Sequence, residues 1–332
     1  MIPDPPNTRR PGRIDAVDAA RGASLLAMAA YHAIWDAGFV GLTPVNLALT
    51  GPGRDAARLI AGTFLMLSGV GLVLAHRGGV RPRPFLRRLA LVTGAALAVT
   101  LATRLAFPEG YVFFGILHCI AVTGVLALPF LRAPVALTLA ASVAAFAAPL
   151  VLAGPAFDAP LLAFLGLGTR VPVTNDYVPL LPWFGAVLAG VAAARLARPA
   201  GERRRLLGRA WRPLLWAGRH SLAIYLVHQP VLFALAWGIA AVAGPHPRAG
   251  EAAFRASFGG ECARAGGSAG ACAVASRCAV VRLREAGLWA GPTGLRAVPE
   301  ERARATAIAR DCFEAATADS SEPSPGPGVG TP

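Results

Sequence analysis

The first apolar stretch of the chain, RGASLLAMAAYHAIWD at residues 21–36, contains an Arg, a His and an Asp. At about 100° per residue, His32 and Asp36 lie about 20° and about 60° around a helix axis from Arg21, so all three share one face. The rise of about 1.5 Å per residue places His32 about 17 Å beyond Arg21 and Asp36 about 6 Å further on. An imidazole can act as a base or a nucleophile, and a carboxylate one turn away can orient it. This face predicts His32 and Asp36 as catalytic residues.

Three further polar motifs interrupt apolar stretches: FFGILHC at 113–119, NDYVPLLPWFG at 175–185 and GRHSLAIYLVHQP at 218–230. They add these candidate site residues: His118, Asp176, Trp183, Arg219, His220, Ser221 and His228. Structural alternatives stay open for all of them. Arg21 can snorkel as an anchor, the His residues can form interhelical hydrogen bonds, and the second and third motifs can be helix starts at the membrane interface.

The elements that position these residues are predicted from composition. The chain has 332 residues, of which 55% are hydrophobic and only 15% are charged, and its mean hydropathy is +0.53. Because a helix of about 20 residues crosses the hydrocarbon core, the recurring apolar runs predict an all-α polytopic bundle of about seven spans with a small soluble C-terminal tail. The expected spans lie near 22–42, 57–75, 89–107, 111–131, 133–153, 178–194 and 222–243. The apolar stretch 156–168 is too short to span and is expected at the interface or as a re-entrant segment.

The distribution of Arg predicts the topology. All 32 Lys+Arg residues are Arg, and they cluster before the first expected span, after the second and after the sixth. Because cytoplasmic loops are enriched in positive charge, the segment 1–21 is expected in the cytoplasm, with 22–243 as the membrane domain and 244–318 on the outer face. Residues 319–332 are rich in Ser, Gly and Pro and are expected to be disordered. The net charge of +14 is therefore explained by the arginines of the cytoplasmic segments. The expected partner is a lipid bilayer, and no nucleic acid is expected.

Four of the five cysteines lie in the tail, at Cys262, Cys272, Cys278 and Cys312. On the outer face they are expected to form two disulfides, with three connectivities open. A four-Cys metal site and free thiols are the alternatives, and the absence of a C-x₂-C pair disfavours the metal site, so no metal is expected. Short amphipathic helices are expected between 251 and 289. The fifth cysteine, Cys119, is expected to be a small core residue.

The four motifs resemble those of the bacterial membrane proteins grouped with the heparan-α-glucosaminide N-acetyltransferase catalytic domain, over roughly residues 12–243. The spacing from Arg21 to His32 is also similar to the Arg-x₁₀-His signature of the broader transmembrane acyltransferases that acetylate surface sugars. The resemblance implies transfer of an acetyl group from cytoplasmic acetyl-CoA to a sugar hydroxyl or amine at the outer face of a bacterial inner membrane.

Roles follow from combining this resemblance with the chemistry of the residues. Arg21, Arg219, His220 and Ser221 are expected to hold the acyl donor at the cytoplasmic end. His32, Asp36, His118 and His228 are the candidates for acid, base or nucleophile, and Asp176 and Trp183 are expected to receive a carbohydrate acceptor. Two other functions remain open: a proton-coupled transporter, and a membrane assembly factor with a disulfide-bonded outer tail. The sequence leaves the oligomeric state open, including a homodimer.

Overall fold

The structure is a computed structural model that describes residues 14–197, 211–289 and 299–319. Of these residues, 78% are helical and none lies in a strand, which confirms the all-α expectation. The α-helices are α1 Asp15–Phe39, α2 Gly51–Ala75, α3 Pro82–Ala106, α4 Ile116–Leu126, α5 Val135–Leu152, α6 Leu180–Leu196, α7 Arg212–Arg219, α8 Ser221–Ala243, α9 Glu251–Arg264, α10 Ala269–Glu285 and α11 Pro299–Asp319.

Four of the helices in the described ranges, α2, α3, α5 and α8, are long and apolar enough to cross a membrane. They correspond to the expected spans at 57–75, 89–107, 133–153 and 222–243. The other three expected spans correspond to α1 and to the shorter apolar helices α4 and α6. The membrane class of the protein is thus supported, and the count of seven spans stays a prediction.

Helix α4 covers only 11 residues of the expected span at 111–131. The residues before it are extended, because Asn175 N–H donates to Gly110 O and Val178 N–H donates to Phe114 O, at 2.9 and 3.1 Å. After it, Pro129 begins a 3-10 helix that ends at Leu131. Hydropathy alone does not reveal where α4 begins, because the extended residues before it pair with a segment about 60 residues further along the chain.

The chain divides into two compact units, the first comprising residues 1–30 and 55–230. Its core lies among α2, α4 and α6 and includes Leu65, Cys119 and Leu188, each completely buried. Helices α2 and α6 approach closely at Gly69 and Gly190. A Cβ atom at Gly69 would overlap the carbonyl oxygen of Val187, and one at Gly190 would overlap that of Met66. Small residues allow such backbone contact between membrane helices.

The apolar stretch 156–168 forms no spanning helix. It contains the 3-10 helices Pro155–Phe157 and Pro160–Leu165 and closes through a hydrogen bond from Gly154 N–H to Leu167 O. The exposed Asp158 carboxylate accepts hydrogen bonds from the Thr169 hydroxyl and amide and from the Arg170 amide, and these bonds lower the pKa of Asp158. The expectation that this stretch does not cross the membrane as a helix is confirmed.

The second unit comprises residues 31–54 and 231–332. Its tail helices α9, α10 and α11 pack around a core that includes Ala279, Leu283 and Cys312. Disulfides join Cys262 to Cys272 and Cys278 to Cys312, which supports the two expected bonds and selects one of the three connectivities. The helices expected between 251 and 289 are α9 and α10, whereas α11 was not anticipated. Beyond Asp319, the segment expected to be disordered lies outside the described residues.

Substitution of Gly190 by Val should destabilise the first unit, because the added side chain would force α6 away from the Met66 carbonyl on α2. Overpacking of this kind typically costs about 1–3 kcal/mol. The matched control is Gly94→Ala on α3, where an added Cβ meets no atom within 4 Å. Thermal unfolding in detergent, followed by tryptophan fluorescence, should show a lower Tm for Gly190→Val alone, and equal midpoints would contradict the packing described.

The disulfides can be tested by alkylation of the purified protein. Under denaturing, non-reducing conditions, the reagent should label only Cys119, which is free in the structure; after reduction it should label all five cysteines. Peptide mapping should recover the pairs Cys262–Cys272 and Cys278–Cys312. Because the second pair closes a loop of 34 residues, Cys278→Ser with Cys312→Ser should cost the tail about 3–4 kcal/mol. Labelled tail thiols before reduction, or another pairing, would contradict the structure.

Candidate functional site

A cavity of about 280 Å³ lies in the first unit among α1, α2, α3, α4, α7 and α8. Its polar lining comes from Asp18, Arg21, Ser68, Arg88, Arg219, Ser221 and Tyr225. Three of the residues predicted to hold a donor, Arg21, Arg219 and Ser221, therefore meet around one space although the motifs that contain them are about 200 residues apart. We refer to this space as the arginine cavity.

The buried carboxylate of Asp18 links the two predicted arginines. Arg219 Nε lies 3.3 Å from Asp18 Oδ2, and Arg21 Nη1 lies 3.8 Å from Asp18 Oδ1. Arg219 Nη2 also contacts Asp15 Oδ1 at 3.2 Å, and Arg21 Nη2 donates to Leu67 O at 3.3 Å. Asp18 is 3% exposed, so these contacts orient both guanidinium groups from a side that water does not reach.

Glycines next to both arginines allow the helices to approach. A Cβ atom at Gly22 would overlap Leu214 O, and one at Gly218 would overlap Asp18 O, so α1 and α7 make backbone contact on both sides of the ion pair. Gly71 on α2 leaves room in the same way for the Arg21 guanidinium. The Arg-Gly and Gly-Arg pairs of the two motifs are therefore packing requirements as well as sources of charge.

Arg88 on α3 is a lining residue that the sequence analysis did not select. It was counted only among the topology-determining arginines, because the expected span began at 89, whereas α3 begins at Pro82 and places Arg88 inside the helix. Within the part of the chain that the structure describes, no carboxylate lies within 4.0 Å of its guanidinium. The signal in the sequence was a charged pair, Arg87 and Arg88, directly preceding an apolar run.

His118 is engaged through both ring nitrogens at the start of α4. Gly115 N–H donates to Nδ1 at 3.2 Å, and Nε2 lies 3.1 Å from Thr100 Oγ1. Since the Thr100 hydroxyl donates to Val112 O at 2.7 Å, the threonine oxygen accepts from an Nε2–H. A neutral Nε2–H imidazole thus satisfies every partner, and this arrangement ties α3 to the start of α4.

Asp176 lies in the segment before α6, at the same helix start. Its Oδ2 accepts from Ile116 N–H at 3.1 Å, and a Cβ atom at Gly115 would overlap this oxygen. Desolvation raises the pKa of Asp176 to about 6, against the opposing effect of that hydrogen bond. Trp183 packs with the core of the first unit, near Gly62 on α2. The carboxylate is therefore used at least in part to cap α4.

His32 and Asp36 lie on α1, as predicted, and belong to the second unit. Asp36 is completely buried, and the half-buried His32 ring meets the Tyr31 ring edge-on at 5.7 Å. The Tyr31 hydroxyl donates to Ala48 O, and the side chain of Asn46 donates to Trp35 O and accepts from Ala48 N–H. These bonds hold the segment around the 3-10 helix Leu47–Leu49 against α1.

The remaining two candidate histidines, His220 and His228, lie on either side of the start of α8. His220 is exposed, donates from Nδ1 to Trp216 O at 2.9 Å, and does not line the arginine cavity. His228 donates from Nδ1 to Tyr225 O at 2.6 Å, so Nδ1 carries a proton. Among the described residues, no group of three or more His, Cys, Asp or Glu side chains is arranged to hold a metal ion.

Comparison with known proteins identifies a family whose model covers all four motifs. Residues 13–230, about two thirds of the chain, match the sequence model of the catalytic domain described as heparan-alpha-glucosaminide N-acetyltransferase. No curated protein and no solved structure matches the chain. The match contains the arginine cavity and ends before the tail helices α9, α10 and α11. The chain therefore belongs to the heparan-α-glucosaminide N-acetyltransferase catalytic-domain family.

Proposed function

We propose that this protein is a membrane acetyltransferase that moves an acetyl group from acetyl-CoA in the cytoplasm to a sugar hydroxyl or amine at the outer face. The observation that carries the proposal is the arginine cavity within the region that matches the family. Its lining includes three guanidinium groups, from Arg21, Arg88 and Arg219, and one buried carboxylate, that of Asp18. The cavity therefore favours a polyanionic ligand such as the phosphates of coenzyme A.

Donor binding in this proposal depends on orientation as much as on charge. Asp18 fixes Arg21 and Arg219 before the ligand arrives, so little side-chain entropy is lost on binding. The hydroxyls of Ser221 and Tyr225 line the same space and supply donors for the amide arm of the ligand. His220 is exposed at the α7–α8 junction and is proposed to help at the cytoplasmic mouth.

His32 is proposed as the base or nucleophile, with Asp36 orienting its ring or stabilising the imidazolium. The hydrogen bonds described above give structural roles to two of the four candidates, His118 and His228. His118 uses both ring nitrogens to hold α4, and His228 uses Nδ1 within its own helix. A general base in such a position typically contributes about 10²–10⁴-fold in rate.

The acceptor is proposed to arrive from the outer face, near Asp176 and Trp183, where the indole offers a surface on which a sugar ring can stack. This orientation requires a cytoplasmic N-terminus and an outer tail in a bacterial inner membrane. Two features support it: the Arg clusters of the sequence, and the two disulfides of the tail, which persist in oxidising compartments.

Substitution of His32 by Ala should abolish acetyl transfer without loss of folding, because a small apolar residue replaces an imidazole at membrane depth. The matched control is His246→Ala, which removes a histidine whose ring accepts from Arg248 N–H in the tail, beyond the family match. Inside-out vesicles supplied with labelled acetyl-CoA provide the assay, and thermal unfolding reports folding. A folded, fully active His32→Ala protein would refute the role of His32, and the absence of transfer by the unsubstituted protein would refute the proposed function.

Substitution of Arg21 by Ala should mainly raise the KM for acetyl-CoA. Loss of hydrogen bonds to a charged ligand costs about 1.5–3 kcal/mol, which corresponds to an increase of about 10- to 150-fold. Arg219 continues to pair with Asp18 in this variant, so the buried carboxylate is not left alone. Steady-state kinetics with varied acetyl-CoA should show a changed KM with kcat within a few-fold; an unchanged KM would argue against donor binding by Arg21.

A further inference from the structure

A second cavity, of about 330 Å³, adjoins the arginine cavity within the first unit. It lies between the C-terminal end of α2, the first turns of α3, and α4. The two cavities share the lining residues Ser68, Arg88, Val92 and Ile120. These four residues therefore form a common wall of the two cavities.

The charges of this second cavity differ from those of the first. Arg81 and Arg88 line it, and neither has a carboxylate within 4.0 Å in the described ranges 14–197, 211–289 and 299–319. By contrast, Arg219 contacts two carboxylates and Arg21 contacts one. An anion gains more from guanidinium groups that are not already compensated, so phosphate is expected to prefer the second cavity. The N-terminus of α3 begins beside Arg81 and adds to the positive potential.

Two rings lie in the wall of the same cavity. The His76 and Phe85 rings meet nearly edge-on with centroids 5.8 Å apart, and His76 Nδ1 donates to Leu72 O at 2.8 Å. That bond fixes the orientation of the imidazole and leaves Nε2 as an acceptor. The rest of the lining is mostly apolar and includes Leu72, Leu89 and Val187. Guanidinium groups, aromatic rings and an apolar wall are together the usual surroundings of a heterocyclic base with phosphates.

We propose that the second cavity binds the nucleotide end of the acyl donor, an adenosine phosphate, and that the thioester arm passes Ser68, Val92 and Ile120 into the arginine cavity. The phosphates contact Arg81 and Arg88, and the base lies against His76 and Phe85. This inference rests on the proposed function for the identity of the donor. It gives the nucleotide phosphates to Arg81 and Arg88, two arginines outside the four motifs, and leaves Arg21 and Arg219 to contact the outer phosphate of the diphosphate, where the arm begins.

The test measures binding without turnover, with adenosine 3′,5′-bisphosphate as the probe. The full-length protein in nanodiscs of zwitterionic lipid is titrated by calorimetry. Arg81→Ala and Arg88→Ala should each weaken binding by about 10-fold or more, the effect of losing charge-assisted hydrogen bonds. The matched controls are Arg83→Ala and Arg87→Ala, which remove the same charge from the same helix at positions that line neither cavity. Arg88→Lys should recover part of the affinity, and thermal unfolding verifies that each variant is folded.

Three results in the zwitterionic nanodiscs would overturn the inference. The first is that the unsubstituted protein does not bind the bisphosphate. The second is that the lining variants and the control variants lose the same amount of affinity. The third is that Arg219→Ala loses more affinity than Arg81→Ala. Nanodiscs with phosphatidylglycerol distinguish the two sources of phosphate: abolition of nucleotide binding by the anionic lipid would assign the cavity to lipid headgroups instead. A donor shortened to acetyl-pantetheine should be turned over equally by Arg81→Ala and the unsubstituted protein. If the unsubstituted protein binds the bisphosphate but transfers no acetyl group, only the proposed function is refuted.

Discussion

The arrangement of the first unit depends on one buried carboxylate, that of Asp18. A charge removed from water is costly unless it is paired, and Asp18 is paired on both sides, by Arg21 from its own helix and by Arg219 from α7. The pairing requires α1 and α7 to lie in backbone contact, which Gly22 and Gly218 permit. Helix packing and the polarity of the arginine cavity are therefore consequences of the same interaction.

A second polar cluster lies at the start of α4. Adjacent amides at the start of α4, from Gly115 and Ile116, donate to His118 and to Asp176. Thr100 joins α3 to this cluster through the other nitrogen of His118. Helix starts need such partners, because their first amides have no acceptor within the helix. The two clusters differ in chemistry. The cluster around Asp18 in the arginine cavity carries net positive charge, whereas the groups of the second cluster are hydrogen-bonded to one another.

Hydropathy predicted α2, α3, α5 and α8, because the apolar residues of a lipid-facing helix are visible in its own sequence. Helices α2 and α3 begin about six residues earlier than expected. The start of α4 could not be predicted in this way, since the residues before it are held extended by hydrogen bonds from residues 175–178. The existence of two disulfides followed from the tail cysteines, but the pairing depends on how α9, α10 and α11 pack.

The candidate site was also predicted only in part, because some of its contacts join residues that are distant in the sequence. Arg21, Arg219 and Ser221 were identified from motifs, and the structure brings them to one cavity. Arg88 was missed because an arginine beside a span has an adequate explanation in topology. His118 was selected for its type and depth, and only the positions of Thr100 and Gly115 reveal that both its nitrogens are used.

The distance along the chain between Asp18 and Arg219, 201 residues, has a consequence for biosynthesis. At about 5–20 residues per second, a ribosome needs about 10–40 seconds to deliver Arg219 after Asp18 has left it. Throughout this interval α1 must hold a carboxylate whose final partner does not yet exist. Arg21, three residues away on the same helix, is translated almost at once and can pair with Asp18 from the start. Arg21 thus serves as an interim partner of the Asp18 carboxylate until α7 arrives.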